Sequence, residues 1–229
     1  MFNLHTHSFQ SRTVRVHPRR DQLFRILTAA ALCFTLAVSA HAQFGTTRMQ
    51  FRNNPALKPP AGAHVAVIEF DDLECPACAE LNPILQRVIA QYKIPWIRKD
   101  FLIPFHQWSP VAAVNARWFD TKSKALGNEY RNAVFADQPY IYNLALLSQF
   151  TDKFAANHGV KLPDSVDPNN QLYNEVQADT SLARQLGLTH TPTVFIATQD
   201  AKGSVATEVL DPYHNLSRRI SEAIAKYAK

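Results

Sequence analysis

VAVIEFDDLECPACAELNP, residues 65–83, places an apolar run against two cysteines three positions apart, followed by the first turns of an amphipathic pattern. Residues 65–70 are short, nearly continuously apolar and rich in β-branched side chains, the pattern of a strand buried on both faces. Glu69 is the anomaly inside that run. A carboxyl buried there costs heavily if ionised and unpaired, so its pKa is expected to rise, which makes Glu69 a candidate proton acceptor near the thiols. The alternative is an edge position from which it reaches water. After the cysteines, Leu81, Ile84, Leu85, Val88, Ile89 and Tyr92 follow helical spacing on one face, predicting a helix over residues 76–92 with Pro76 in its first turn and a kink at Pro83. Cys75 then stands at a helix N-terminus, where unpaired backbone N–H groups and the positive end of the dipole favour a thiolate. Cys78, one turn inside, is expected to be shielded. The asymmetry assigns roles: Cys75 attacks or is attacked, and Cys78 resolves the mixed disulfide.

Composition bounds what that stretch can mean. With 229 residues, 46% of them hydrophobic and 19% charged, the chain can bury a full core without disulfide staples. Its formal charge of +5 is unevenly placed: Arg12, Arg15, Arg19, Arg20 and Arg25 against Asp21 give residues 1–42 a net +4, leaving +1 for the remainder. No Lys/Arg cluster interleaved with aromatics follows, so nucleic-acid binding has no footprint. The basic segment, the apolar residues 26–38 (ILTAAALCFTLAV) and Ala40-His41-Ala42 come in the order of a secretory signal peptide, with cleavage expected near Ala42. An apolar run of 13 residues is short for a bilayer span, and an uncleaved membrane anchor is the alternative. Cys33 leaves with the leader, and its surroundings do not resemble a lipoprotein cleavage site.

The exported chain then keeps only Cys75 and Cys78. It has no structural disulfide framework, although its compartment permits one. Two cysteines cannot complete a tetrahedral zinc site, and there is no second C-x-x-C or close His pair; no metal or cofactor is expected.

Residues 43–62, with Pro55, Pro59, Pro60 and Gly62, read as an extended N-terminal segment. Residues 94–101 (IPWIRKDF) predict the next strand. Helical periodicity follows: a helix opened by Ser109-Pro110 as cap and first position and running through Phe119, one carrying Leu126, Tyr130 and Val134, one carrying Leu144, Leu147, Phe150 and Phe154 and stopped by Gly159, and one over residues 169–186. Strands are predicted at 193–198 and 204–210, joined as a hairpin, then a final helix capped by Asp211-Pro212 with Leu216, Ile220, Ile224 and Tyr227 on one face. The order is α/β, with a helical block at about 103–188 set inside one domain spanning 63–229.

CPAC after a strand, an acid six residues before the first Cys, a Pro five after the second, and the residues GLTHTPTVFI together resemble the thioredoxin superfamily, and the helical insertion is similar to its DsbA-like branch of exported thiol–disulfide oxidoreductases. The resemblance covers about residues 63–227. It implies a thioredoxin-like fold with an inserted helical block, a redox-active disulfide at Cys75 and Cys78, a proton relay at Glu69, and a cis Thr191–Pro192 peptide beside the cysteines. A cis X-Pro bond forces a tight turn and leaves the preceding backbone ready to pair with an extended substrate. DsbA itself has His in the second position between the cysteines, where this chain has Ala77. Asp71, Asp72 and Glu74 also crowd the N-terminal side of Cys75, and both features are expected to destabilise the thiolate and give a weaker oxidant than DsbA. His190 is a candidate to face Cys75, with a solvated loop His as the plainer reading, while His106 and the tryptophans 96, 108 and 118 read as structural.

The expected activity is disulfide exchange with cysteine-containing exported proteins, in the oxidase direction, with a membrane-bound redox partner restoring the disulfide. Reductase or isomerase chemistry on the same fold, or a non-catalytic binding or chaperone module, are the alternatives. The expected location is periplasmic or otherwise exported, and the expected state a monomer.

Overall fold

Burial on both faces requires a strand to sit inside a sheet, and that is where the CPAC approach lies. The computed structural model describes residues 48–226; the leader, its cleavage point near Ala42 and Cys33 lie outside the described residues. The elements, in chain order, are β1 (Gln50–Arg52), β2 (Val65–Asp71), α1 (Pro76–Tyr92), β3 (Trp96–Asp100), α2 (Ser109–Asp120), α3 (Lys124–Asp137), a 3-10 turn (Gln138–Tyr140), α4 (Leu144–Asn157), α5 (Gln171–Gln185), β4 (Thr193–Asp200), β5 (Gly203–Glu208) and α6 (Pro212–Ala225).

The sheet runs β1-β5-β4-β2-β3, with β2 parallel to β3 and antiparallel to β4, and with β5 antiparallel to both β4 and β1. All seven residues of β2 are buried. Alternation of side chains along β2 splits the core in two. On one face Val65 and Val67 meet Leu81, Leu85 and Val88 of α1 and Leu216 and Ile220 of α6. On the other, Ile68 and Phe70 pack with Phe195 and Ala197 of β4 and Ala183 of α5.

The helices between β3 and β4 build a third core from Trp118, Phe119, Tyr130, Val134, Leu147 and Phe154. Leu73, Cys75 and Cys78 belong to that same cluster, so the CPAC turn lies where the sheet and the helical block meet. Truncating a side chain as buried as Leu147 should cost about 2–5 kcal/mol, since the cavity adds to the lost transfer energy.

Three local expectations change. The extended N-terminal segment contributes β1, whose Gln50 pairs with Thr207 at the free edge of β5; three residues are too few to show a period. Ser109 is not the cap of α2 but its first residue, and the Glu74 carboxylate accepts the N–H groups of Trp108 (2.7 Å) and Ser109 (3.0 Å) instead. Asp211 precedes α6 with φ of 52°, and its carboxylate turns to the His214 ring (3.0 Å) rather than to a backbone N–H of the first turn. The helix α1 has its expected bounds, with Pro83 inside it, and the C-cap Lys93, with a φ of 51° and its N–H on the Ile89 carbonyl (2.8 Å), closes the last turn.

Candidate active site

The turn from β2 into α1 makes Cys75 the N-cap of the helix, with extended backbone (φ −80°, ψ 118°) and no cap hydrogen bond from its own side chain. An N-cap side chain lies near the free N–H groups of the first turn, so here the sulfur stands at the positive end of the helix without closing a cap hydrogen bond. Both thiols are free, and both are largely withdrawn from solvent: Cys75 is 7% exposed and Cys78 0%. The Cys75 Sγ stands 3.6 Å from the Thr191 carbonyl oxygen.

Their chemistry diverges strongly. A hydrogen bond from the Cys78 thiol, helped by the Thr191 side chain and the backbone N–H groups of Cys78 and Ala77, outweighs burial and brings the Cys75 thiol down to about 6. Burial pushes the Cys78 thiol well above its ordinary value, and the neighbouring Cys75 adds to the rise. At neutral pH the outer sulfur is a thiolate and the inner one a thiol.

Glu69 is fully buried in β2 and sits in register with Arg98 of β3 and Val194 of β4, which removes the edge-strand reading. Its Oε2 accepts a hydrogen bond from the Trp96 indole (3.1 Å) and lies 3.8 Å from the Arg98 Nε, while Oε1 is buried with no hydrogen-bond partner. Burial, reinforced by the Asp71 carboxylate, lifts the Glu69 pKa to about 8 against the opposing pull of Arg98 and Trp96. Arg98 is held by Asp71 (2.9 Å) and Asn132 (3.1 Å), with its guanidinium 4.4 Å from the Trp96 ring centre.

The acids before Cys75 do not act as their spacing suggests. Asp71 is paired with Arg98. Asp72 accepts the N–H groups of Glu74 (2.8 Å) and Ile103 (2.8 Å) and lies 2.9 Å from the His106 ring, which keeps His106 structural. Glu74 caps α2 as described. Each carboxylate is directed to a structural partner, and the Cys75 thiol is lowered rather than raised. That removes one of the two physical grounds for a weakened thiolate; the absence of a His at position 77 remains.

The Thr191–Pro192 peptide is cis. The site therefore brings together Cys75, Cys78, Thr191 and Pro192, with Glu69 at the β2 layer beneath them. His190 is exposed, its ring 3.5 Å from the Thr189 hydroxyl. Trp108 and Trp118 are buried packing residues, whereas Trp96 is the donor on Glu69. Sequence reasoning missed Trp96 and Arg98 as partners of Glu69, although their place on the strand after α1, two apart, is the one signal that could have paired them with alternate residues of β2. It also missed two donors on the redox turn. The Gln138 side-chain amide donates to the carbonyls of Leu73 (2.9 Å) and Cys75 (3.1 Å), and the Tyr213 hydroxyl donates to the carbonyl of Ala77 (2.8 Å). Among the described residues, no group of three or more His, Cys, Asp or Glu is placed to hold a metal ion.

A central β2 delivering a C-x-x-C to a helix N-terminus opposite a cis-Pro loop, with helices inserted between β3 and β4, defines a thioredoxin-like fold of the DsbA-like kind. A sequence model of the family described as Thioredoxin matches residues 61–212, and the chain belongs to that family. Among solved structures it is similar to BdbD from Bacillus subtilis in its oxidised form, with 17% identity and a TM-score of 0.58 over 78% of this chain and 97% of the other. It is likewise similar to the thiol-disulfide exchange protein alpha-DsbA2 from Wolbachia pipientis, with 18% identity and a TM-score of 0.57 over 78% and 88% of the two chains. A periplasmic thioredoxin-like protein from Salmonella enterica serovar Typhimurium shares 18% identity and a TM-score of 0.56 over 76% and 92%. No curated protein matches the chain.

Proposed function

We propose that the chain is an exported thiol–disulfide oxidoreductase that exchanges disulfides with cysteine-containing proteins through a mixed disulfide at Cys75, resolved by Cys78. The observation that carries this reading is the divergence of the two thiols, one drawn down to about 6 and the other pushed well up by burial. An incidental packed pair has no reason to open a helix N-terminus beside the cis Thr191–Pro192 peptide, where the Cys75 sulfur lies 3.6 Å from the Thr191 carbonyl.

In the oxidising direction a client thiolate attacks the Cys75 sulfur of the Cys75–Cys78 disulfide. The S–S bond breaks, its electron pair leaves on Cys78, and Glu69 in its acid form supplies the proton that the buried Cys78 sulfur needs. A second client thiolate then attacks the client's own sulfur in the mixed disulfide, and Cys75 departs as the stabilised thiolate. The client has lost two electrons and the pair has gained them. In the reverse direction the Glu69 carboxylate takes the Cys78 proton, and the Cys78 thiolate attacks the Cys75 sulfur of the mixed disulfide, breaking its bond to the client, which leaves as a thiolate. Trp96 and Arg98, which touch Glu69, also line a cavity of about 260 Å3, which offers that proton a route to solvent.

Thiolate stabilisation favours the oxidase direction. With Cys75 moved from 9.0 to about 6, the reduced protein is favoured at pH 7 by about 1.4 kcal/mol, so the disulfide gives up its oxidising equivalents readily. The backbone of Thr191, beside Cys75, is the place for an extended client segment to pair. The leader sequence supports export to the periplasm or an equivalent compartment, an oxidase there needs a membrane-bound partner to restore the disulfide, and the working state is a monomer. In a Cys78→Ser variant, Cys75 can still attack a client disulfide but Cys78 cannot release the client, so clients should accumulate as reducible adducts on Cys75. A variant that collects no adducts in its own compartment would contradict the reading.

A further inference from the structure

We infer that Gln138 and Tyr213 are positioning residues for the Cys75 thiolate: from opposite sides of the fold they clamp the three backbone carbonyls that orient the turn around its sulfur. This rests on the exchange reading above and adds to it the groups that set how strongly the centre oxidises.

The turn itself is short. The Cys75 N–H donates to the Asp72 carbonyl (2.9 Å), and the Glu74 N–H to the Asp72 carboxylate (2.8 Å). Gln138 has two amide hydrogens and uses them on two carbonyls, Leu73 and Cys75, one on each side of Glu74. It reaches them from the 3-10 turn after α3, which belongs to the helical block. Tyr213 comes from the first turn of α6, which packs on the sheet side of α1.

The Tyr213 contact acts through a single peptide plane. The Ala77 carbonyl that accepts the phenol O–H and the Cys78 N–H, which donates to the Cys75 carbonyl (3.1 Å) and helps to lower the Cys75 thiol, are two ends of the same peptide unit. Fixing one end fixes the direction of the other, and a donor on the carbonyl polarises the N–H that acts on Cys75. Gln138 does the same service for the peptide that begins α1, since the Cys75 carbonyl also accepts the N–H groups of Cys78 and Ala79 at 3.1 Å each. Ala77 offers only a methyl group, so the second residue between the cysteines contributes through its backbone, and Tyr213 is what holds that backbone. Burial raises the Tyr213 pKa, and the nearby charges of Glu80, Cys78 and Cys75 raise it further, which places the phenol in the field of the redox pair.

The test uses the exported chain with Gln138→Leu, Gln138→Glu, Tyr213→Phe and Leu147→Ala. Two quantities are read: the pH midpoint of Cys75 alkylation, resolved from Cys78 by mass spectrometry, and the disulfide equilibrium in glutathione buffers. Gln138→Leu and Gln138→Glu should each raise the midpoint by about half a unit to one unit, and Tyr213→Phe by about half a unit, with the glutathione equilibrium moving about three- to tenfold toward the disulfide form. Leu147→Ala should lower the melting temperature and leave both readouts where they are. A fall in melting temperature with unchanged midpoint and equilibrium in the Gln138 and Tyr213 variants would overturn the inference. Tyr213→Phe removes one hydroxyl and keeps the test intact if a Gln138 variant fails to fold. A wild-type protein that exchanges normally beside unshifted variants refutes the clamp alone; a wild-type protein that does not exchange with glutathione refutes the oxidoreductase reading and the clamp with it.

Discussion

Two buried carboxyls on adjacent strands, Glu69 of β2 and Asp100 of β3, meet the same desolvation and are treated differently by their surroundings. Burial raises the pKa of both. Asp100 is gripped by the Arg117 guanidinium through Nε (2.8 Å) and Nη2, and Arg117 is shared in turn with Asp179, which also binds Lys99 (2.9 Å). Glu69 has an indole donor on one oxygen, a guanidinium at 3.8 Å that is already committed to Asp71, and nothing on the other oxygen. A carboxyl compensated on its charge holds structure together, because protonating or exposing it breaks a network. One left with an open oxygen and a pKa near neutrality is able to gain and lose a proton while the fold stays as it is.

If that contrast is right, the two sites should fail in different ways. Arg117→Leu leaves Asp100 buried without its counter-charge and should cost about 3–5 kcal/mol in urea unfolding, with the exchange rate per folded molecule unchanged. Full stability in that variant would erase the distinction. Glu69→Gln should slow resolution of a preformed Cys75 mixed disulfide by about a hundredfold at neutral pH, the scale of a lost acid–base group, read by quenched-flow alkylation. Stability should move the other way. The native Glu69 pKa of about 8 lies above its unfolded value of 4.5, so the folded protein keeps a proton that the unfolded chain has lost. Its contribution is complete below about pH 4.5 and disappears as pH rises through 8, amounting to about 5 kcal/mol across that range. Glu69→Gln should flatten that decline, so that the variant is more stable than wild type at pH 8; an unchanged pH–stability curve would contradict it. The smallest effect belongs to Trp96→Phe. Its indole lowers the Glu69 pKa, so losing it should raise the pH midpoint of the resolution step by about half a unit, and a fall in that midpoint would reverse the assigned role.

The parts of this site that are legible from the sequence are those whose signal is local. CPAC follows a buried strand and opens an amphipathic helix within nineteen residues, and Thr191-Pro192 leads directly into β4. Glu69 stands out because every neighbour in its strand is apolar up to Asp71. The three acids before Cys75 illustrate the limit. Their closeness in sequence suggests repulsion at the sulfur, yet each carboxylate leaves the turn for a partner on β3, the loop after it, or α2. Gln138 and Tyr213 reach the turn from 63 and 136 residues away, and no spacing within either segment encodes the destination of a side-chain donor. The strand β1 escapes for a different reason: with three residues, its pairing partner defines it more than its own pattern does.

Exchange at this centre depends on the inequality of the two thiols, and site-resolved alkylation of the reduced native protein across pH measures it directly. Cys75 should react alone, with a midpoint of about 6, while Cys78 stays unmodified until well above pH 9. Equal reactivity of the two sulfurs, or a Cys75 midpoint near the ordinary value of 9.0, would contradict it.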